Sequence, residues 1–214
     1  MKKIIDVCCG PKGMWFDKNE SRTIFMDNRK EQHIVCVRKN GKSDTITITP
    51  DIIGDFTKIN FPDSTFCLVV FDPPHMKRKN PGSVLSLQYG VLYDNWKEII
   101  SGGFSECFRV LKPNGILIFK WCEYSIKISE VLKLTNQVPL FGHRVGKRLN
   151  THWVCFMKDE DARAENQGSR PNFVQQLKAV IGPCGDKVRC ADPATTDFEN
   201  TLCAKCSYGP TTAV

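Results

Sequence analysis

Short apolar runs alternate along this chain with longer stretches in which apolar positions recur every three or four residues, the order that a largely parallel sheet with covering helices produces. The runs at residues 4–9, 23–26, 66–71 and 115–121 predict strands. Between the last two, residues 93–111 carry Trp96, Ile99, Ile100, Phe104, Phe108 and Leu111 at helical spacing, a crossover helix that Gly102-Gly103 would bend or split. Lys112-Pro113-Asn114-Gly115 then turns the chain into the next strand. Residues 125–134 predict a second helix. Residues 139–144 and 151–158 predict a closing antiparallel pair, joined by a link that holds Gly146, Lys147, Arg148 and Asn150. Asn40-Gly41, between Val35-Cys36-Val37 and Ile46-Thr47-Ile48, predicts a small hairpin over residues 35–49. The fold class expected is α/β.

Apolar patterning stops near Lys158. Residues 159–171 have almost nothing to bury and predict a linker between a folded domain at 1–158 and a cysteine-rich tail at 172–214. Within the tail, residues 173–181 could form one short amphipathic helix. Cys184, Cys190, Cys203 and Cys206 follow with gaps of five, twelve and two residues. Four thiolates could hold one structural zinc ion and so supply folding energy that the apolar content lacks, although the first gap is longer than the common spacing. The alternative is a tail of free cysteines.

With 214 residues, 41% hydrophobic and 25% charged, the chain can close one full-sized core. No apolar run approaches the ~18 residues needed to cross a bilayer, and Met-Lys-Lys followed by Ile4-Ile5-Asp6 lacks a signal-peptide apolar stretch, so no membrane association is expected. Of the 11 cysteines, Cys8, Cys9, Cys36, Cys67, Cys107, Cys122 and Cys155 lie in or beside apolar segments, which favours a reducing cytoplasm over a disulfide framework. A formal charge of +7 suits a polyanionic partner without requiring one.

Candidate chemistry concentrates at the predicted strand ends. Phe71-Asp72-Pro73-Pro74-His75 follows the run at 66–71, where an open α/β sheet binds its ligands. Two prolines and an aspartate also suit a plain strand-ending turn. The functional alternative draws three things from these residues. Asp72 would accept a hydrogen bond from a substrate amine, the Pro73 carbonyl would accept another with Pro73-Pro74 fixing the geometry, and His75 would stack on a planar group. Asp6-Val7-Cys8-Cys9-Gly10-Pro11-Lys12-Gly13 follows the first strand, and its small residues let backbone approach a ligand closely. Asp27, at the end of the second strand, could take both ribose hydroxyls of a nucleoside, and Asp55 could accept from an adenine amino group. Each acid alone also suits a solvated cap or turn. Trp15-Phe16-Asp17-Lys18 could shape a cofactor pocket with Lys18 near a carboxylate, or pack under a first helix.

In this order these features resemble the class I S-adenosylmethionine-dependent methyltransferases, and within them the amino-methyltransferases whose motif is Asp/Asn-Pro-Pro-aromatic. Cys8-Cys9-Gly10, Phe71 to His75, Arg109-Val110-Leu111-Lys112, Phe119-Lys120-Trp121, Pro139-Leu140-Phe141-Gly142-His143 and Thr151-His152-Trp153 look like the small stand-alone methyltransferases of bacteriophages and prophages. The resemblance spans residues 1–158, which would then be the catalytic domain. It implies a Rossmann-like, mostly parallel seven-stranded sheet with an antiparallel last strand. It also implies S-adenosylmethionine as methyl donor and an exocyclic amine of a nucleic-acid base, adenine or cytosine in DNA or RNA, as acceptor. Asp6, Cys8, Cys9, Gly10, Gly13, Lys18, Asp27 and Asp55 would hold the cofactor. The chain departs from the pattern where Cys9-Gly10-Pro11-Lys12-Gly13 replaces a Gly-x-Gly pair, and where His75 replaces tyrosine or phenylalanine.

A nucleic-acid acceptor asks for positive charge near Asp72. Lys77-Arg78-Lys79 follow the motif directly, and Arg144, Lys147 and Arg148 occupy the late link; any of them also suits a solvated loop. Trp121 is a candidate pocket wall or a core residue. A duplex base would have to be flipped out, and with little chain for sequence recognition the expectation is low sequence specificity, a single-stranded substrate or a partner that supplies targeting. A protein glutamine amide is a second acceptor. A catalytically silent nucleic-acid-binding module is the reading from another class. A cysteine nucleophile is disfavoured, because Pro74-His75 stands where such a cysteine would follow a proline.

Overall fold

The computed structural model describes residues 2–37, 41, 43–77, 83–145 and 150–160. In chain order the strands are β1 (Ile4–Asp6), β2 (Thr23–Asp27), β3 (Glu31–Val37), β4 (Ser43–Ile48), β5 (Ile52–Ile53), β6 (Phe66–Phe71), β7 (Leu111–Cys122), β8 (Phe141–Val145) and β9 (Thr151–Met157). Helices α1 (Val84–Tyr89) and α2 (Trp96–Val110) lie between β6 and β7; α3 (Ile128–Val131), extended by a 3-10 turn at Leu132–Leu134, follows β7.

Seven strands form one sheet in the order β5-β2-β1-β6-β7-β9-β8. All neighbours are parallel except that β9 runs antiparallel to both β7 and β8. The chain builds outward from β1 through β2 to β5, then returns to place β6 on the other side of β1. The switch point of the sheet therefore lies between the ends of β1 and β6, where Asp6 pairs with Val70. The central strands read as continuous apolar runs because both their faces are covered, and Ile5, Val69, Leu117 and Phe119 are fully buried.

Helix α2 buries Trp96, Ile100, Phe104, Cys107, Phe108 and Val110 on the stripe that its sequence predicts. It does not break at Gly102-Gly103. A Cβ on Gly103 would lie 2.6 Å from Phe71 Cζ and 2.9 Å from Phe56 Cδ2, so glycine here is the condition for close helix-on-sheet packing. Phe71, Phe104, Phe119 and Phe156 form the core beneath it, with ring centroids 4.9–6.1 Å apart along the Phe71–Phe104, Phe71–Phe119, Phe104–Phe119 and Phe104–Phe156 contacts.

Elsewhere the structure departs from the pattern. No helix links β1 to β2. Residues 7–22 run as turns with Gly10 at φ +50° and Lys12 at φ +55°, and that side of β2 is covered instead by Trp15 packed edge-on against Phe25 at 5.0 Å and by the Lys12 ammonium 4.1 Å above the same ring. The hairpin forms, as a separate two-stranded sheet of β3 and β4, but Val37 pairs with Ser43, so residues 38–42 intervene where Asn40-Gly41 alone would make a two-residue turn. β1 stops at Asp6 rather than 9, β7 starts at Leu111 rather than 115, and the second helix shortens to α3 and its 3-10 turn. Strand β5 has only two residues, both exposed, and carries no apolar periodicity to announce it. Cys67 is exposed rather than packed, while Cys9, Cys107 and Cys155 are buried as free thiols. Among the described residues, no helix is long and apolar enough to cross a membrane.

Candidate active site

A cleft of about 630 Å³ opens at the carboxyl ends of β1, β2, β6 and β7. Its first wall is the loop after β1. Cys9 N donates to the Met26 carbonyl at 2.8 Å, and Gly10 N donates to Asp27 Oδ2 at 2.9 Å. Gly10 sits at φ +50°, where a Cβ would also meet the Gln88 carbonyl at 3.3 Å, so the loop needs glycine twice over. Asp27 is buried, and its Oδ1 accepts from Arg29 N at 3.0 Å and Arg29 Nε at 3.2 Å. Arg29 Nη1 in turn donates to the Leu87 carbonyl at 2.8 Å, which ties the end of α1 over the loop. Cys8, Cys9, Gly10, Gly13 and Asp27 all line the cleft, as the sequence suggests.

Three expected cofactor residues do not line it. Asp6 is buried behind the loop, where its Oδ2 accepts from Trp15 Nε1 at 2.7 Å and its Oδ1 from Cys8 N at 3.3 Å; burial pushes its pKa from 3.8 to about 7 despite these donors. Lys18 is exposed, and its carbonyl accepts from the buried Lys12 Nζ at 3.2 Å, so Lys12 is the cation under the loop. Asp55 is exposed and spends one carboxylate oxygen on Thr57 N and Oγ1 at 2.7 and 2.8 Å, an Asx turn that leaves Phe56 as the residue facing the cleft.

The opposite wall carries Asp72, directly after β6. Phe71 pairs with Phe119, so the next residue of β7, Lys120, stands beside Asp72, with Nζ 2.6 Å from Oδ2. The two side chains are 18% and 8% exposed, Lys120 and Asp72 respectively. Asp72 Oδ1 is buried and meets no donor. Pro74 also lines the cleft, fitted against Gly90, where φ is +74° and a Cβ would lie 3.2 Å from Pro74 Cγ. Pro73 is buried beneath it.

His75 and Trp121 differ from expectation. His75 is 6% exposed and does not line the cleft; its ring packs 5.4 Å from Tyr89 and 6.2 Å from Trp121, which leaves no open face for a substrate. Burial depresses its pKa and Lys120 adds to that, against Asp72 and the Pro73 carbonyl, and its Nδ1 is buried without a partner. Trp121 is fully buried, donates Nε1 to the Ile126 carbonyl at 2.9 Å and stacks on Phe119, so it is a core residue. The aromatic walls are instead Phe56, Tyr89, Tyr93 and Trp153. Trp153 arrives there because β9 pairs it with Lys120. Lys120, Trp153, Tyr89 and Arg29 are the site residues that sequence reasoning missed. A lysine inside the apolar run Ile116 to Trp121 was the available signal for the first of them.

Lys77 and Arg144 are exposed and do not line the cleft. Arg78, Lys79, Lys147 and Arg148 lie outside the described residues, as do Cys184, Cys190, Cys203 and Cys206 and the proposed zinc site. Among the described residues no group of three or more His, Cys, Asp or Glu side chains could hold a metal ion.

No family model matches the chain, and no curated protein matches its sequence. Among solved structures it is similar to a protein from Pyrococcus horikoshii OT3 (16% identity, 73% of this chain and 81% of that one, TM-score 0.46). It is also similar to an S-adenosylmethionine-dependent methyltransferase from Methanosarcina mazei (10% identity, 73% and 92%, TM-score 0.43). A third is the N-methyltransferase NodS from Bradyrhizobium japonicum WM9 (10% identity, 73% and 85%, TM-score 0.45). The architecture itself is defined by the strand order: a mostly parallel seven-stranded sheet with one reversed strand, as the resemblance implied.

Proposed function

We propose that this chain is an S-adenosylmethionine-dependent methyltransferase that methylates the exocyclic amine of a nucleic-acid base. The observation that carries the reading is the Asp72 carboxylate on the wall of the cleft beside the tip of β1, where Lys120 holds Oδ2 and Oδ1 meets no donor. A buried acceptor left unpaired is costly, and an incoming N–H removes that cost.

The cofactor fits the other wall. The cleft has the size of a small-molecule site, and its glycine cradle at Gly10 and buried Asp27 carboxylate suit a nucleoside with an amino-acid arm. Gly10 and Gly13 would lie against the amino-acid end, Asp27 would accept from the ribose hydroxyls, and Phe56 would pack against the adenine. When bound, S-adenosylmethionine supplies an electrophilic methyl group on a positively charged sulfur.

The chain's own residues supply orientation. The Asp72 carboxylate accepts one amine N–H and so turns the nitrogen lone pair toward the methyl group, while Lys120 neutralises and anchors it through Oδ2. Pro73 and Pro74 remove the freedom of the backbone that carries it. Tyr89 and Trp153 offer flat surfaces to a planar acceptor. After transfer the nitrogen sheds one proton, to Asp72 or to water. The formal charge of +7 and the exposed Lys77 support a polyanionic substrate over a neutral one.

Incubating the protein with methyl-labelled donor and separate DNA, RNA and protein pools tests the reading. Label should enter a nucleic-acid pool and depend on Asp72. Label confined to protein would favour the glutamine amide, and donor binding without transfer to any pool would favour a silent module.

A further inference from the structure

Orienting an amine asks only for the Asp72 carboxylate, yet Lys120 lines the same cleft. Its Nζ sits 2.6 Å from Asp72 Oδ2, 5.4 Å from the centroid of Tyr89 and 5.8 Å from that of Trp153. An ammonium has three protons to donate and no acceptor capacity. Asp72 takes one of them and is the hydrogen-bond acceptor Lys120 meets among the described residues. A donor and an acceptor therefore stand side by side, next to two flat rings.

Resting on the methyltransferase reading above, we infer that Lys120 donates to the unprotonated ring nitrogen adjoining the target amine while Asp72 accepts from the amine itself. The pair then reads an N–C=N edge: N6 with N1 in adenine, or N4 with N3 in cytosine. A glutamine amide presents a similar donor and acceptor, but it has no ring face to lay on Tyr89 or Trp153. Lys120 would be a specificity-determining contact as well as the residue that fixes Asp72. A site built around a charged donor discriminates strongly against an analogue that leaves the donor unpaired.

The test compares kcat/KM on single-stranded oligonucleotides carrying adenine, 1-deazaadenine or 7-deazaadenine, and cytosine or 3-deazacytosine. With the wild-type chain, exchanging the adjoining ring nitrogen for C–H should lower kcat/KM about tenfold or more, while 7-deazaadenine, altered on the other ring, should resemble adenine. In Lys120→Met the deaza penalty should shrink toward the intrinsic reactivity difference of the amines; in Lys120→Arg, which keeps a charged donor, it should persist. Because the wild-type ratios need no variant, a misfolded Lys120→Met leaves the test intact. Equal wild-type rates on adenine and 1-deazaadenine, or a penalty undiminished in a folded Lys120→Met, would overturn the role of Lys120 while leaving base methylation standing. Absence of methyl transfer to any of the parent bases would overturn both.

Discussion

The two walls of the cleft treat their polar groups in opposite ways. On the β1–β2 side every acid is committed to the protein: Asp27 to Gly10 and Arg29, Asp6 to Trp15 and Cys8. On the β6–β7 side a carboxylate and a lysine form one short ion pair, and Asp72 Oδ1 and His75 Nδ1 remain buried without partners. The acids of the first wall brace the loop after β1. On the second wall Asp72 keeps one oxygen without a donor beside the Lys120 ammonium, and His75 lies behind it.

Substitutions on each wall should separate these roles. The largest effect is expected from Asp72→Ala, which should lower methyl transfer by roughly 100-fold or more while calorimetry finds donor affinity changed only a few fold. Asp27→Ala should do the reverse: donor affinity should fall about tenfold or more as the Gly10 loop and Arg29 lose their shared acceptor, with a drop in melting temperature besides. If the two variants gave the same phenotype, the division of labour would be wrong.

Asp6 sharpens the contrast through pH. Its carboxyl is raised from 3.8 to about 7 by burial, so the folded chain holds a proton that the unfolded chain gives up. The stability associated with it is present below pH 3.8 and is lost as pH rises toward 7. Denaturant midpoints should therefore fall between about pH 4 and 7, by up to roughly 4 kcal/mol of stability, level off above that, and Asp6→Asn should flatten that slope. The smallest change expected is from Trp121→Phe, about 1 kcal/mol for the lost hydrogen bond to Ile126, read as a melting shift with acceptor KM unchanged; Trp153→Ala should instead raise acceptor KM.

Much of this architecture was legible in the sequence, and the omissions have physical reasons. The strand at 66–71 and the stripe of α2 are visible because burial on a sheet or on one helix face imposes a period. The turns at 7–22, which replace a helix, are not, since Trp15 and Lys12 cover Phe25 through contacts that no local pattern records. Asp72 was legible because strand ends gather ligands. Lys120 and Trp153 were not, because their place beside Asp72 depends on register across three strands. His75 reads as a stacking residue from its place in the motif and Trp121 as either a pocket wall or a core residue, and packing turns both inward.

The most direct measurement is mass analysis of nucleosides from RNA and DNA treated with the purified chain and S-adenosylmethionine carrying a trideuterated methyl. The account predicts an N-methylated adenine or cytosine nucleoside bearing the heavy methyl group, absent when Asp72→Ala is used. Heavy methyl on a ring carbon, or an equal yield from Asp72→Ala, would contradict it.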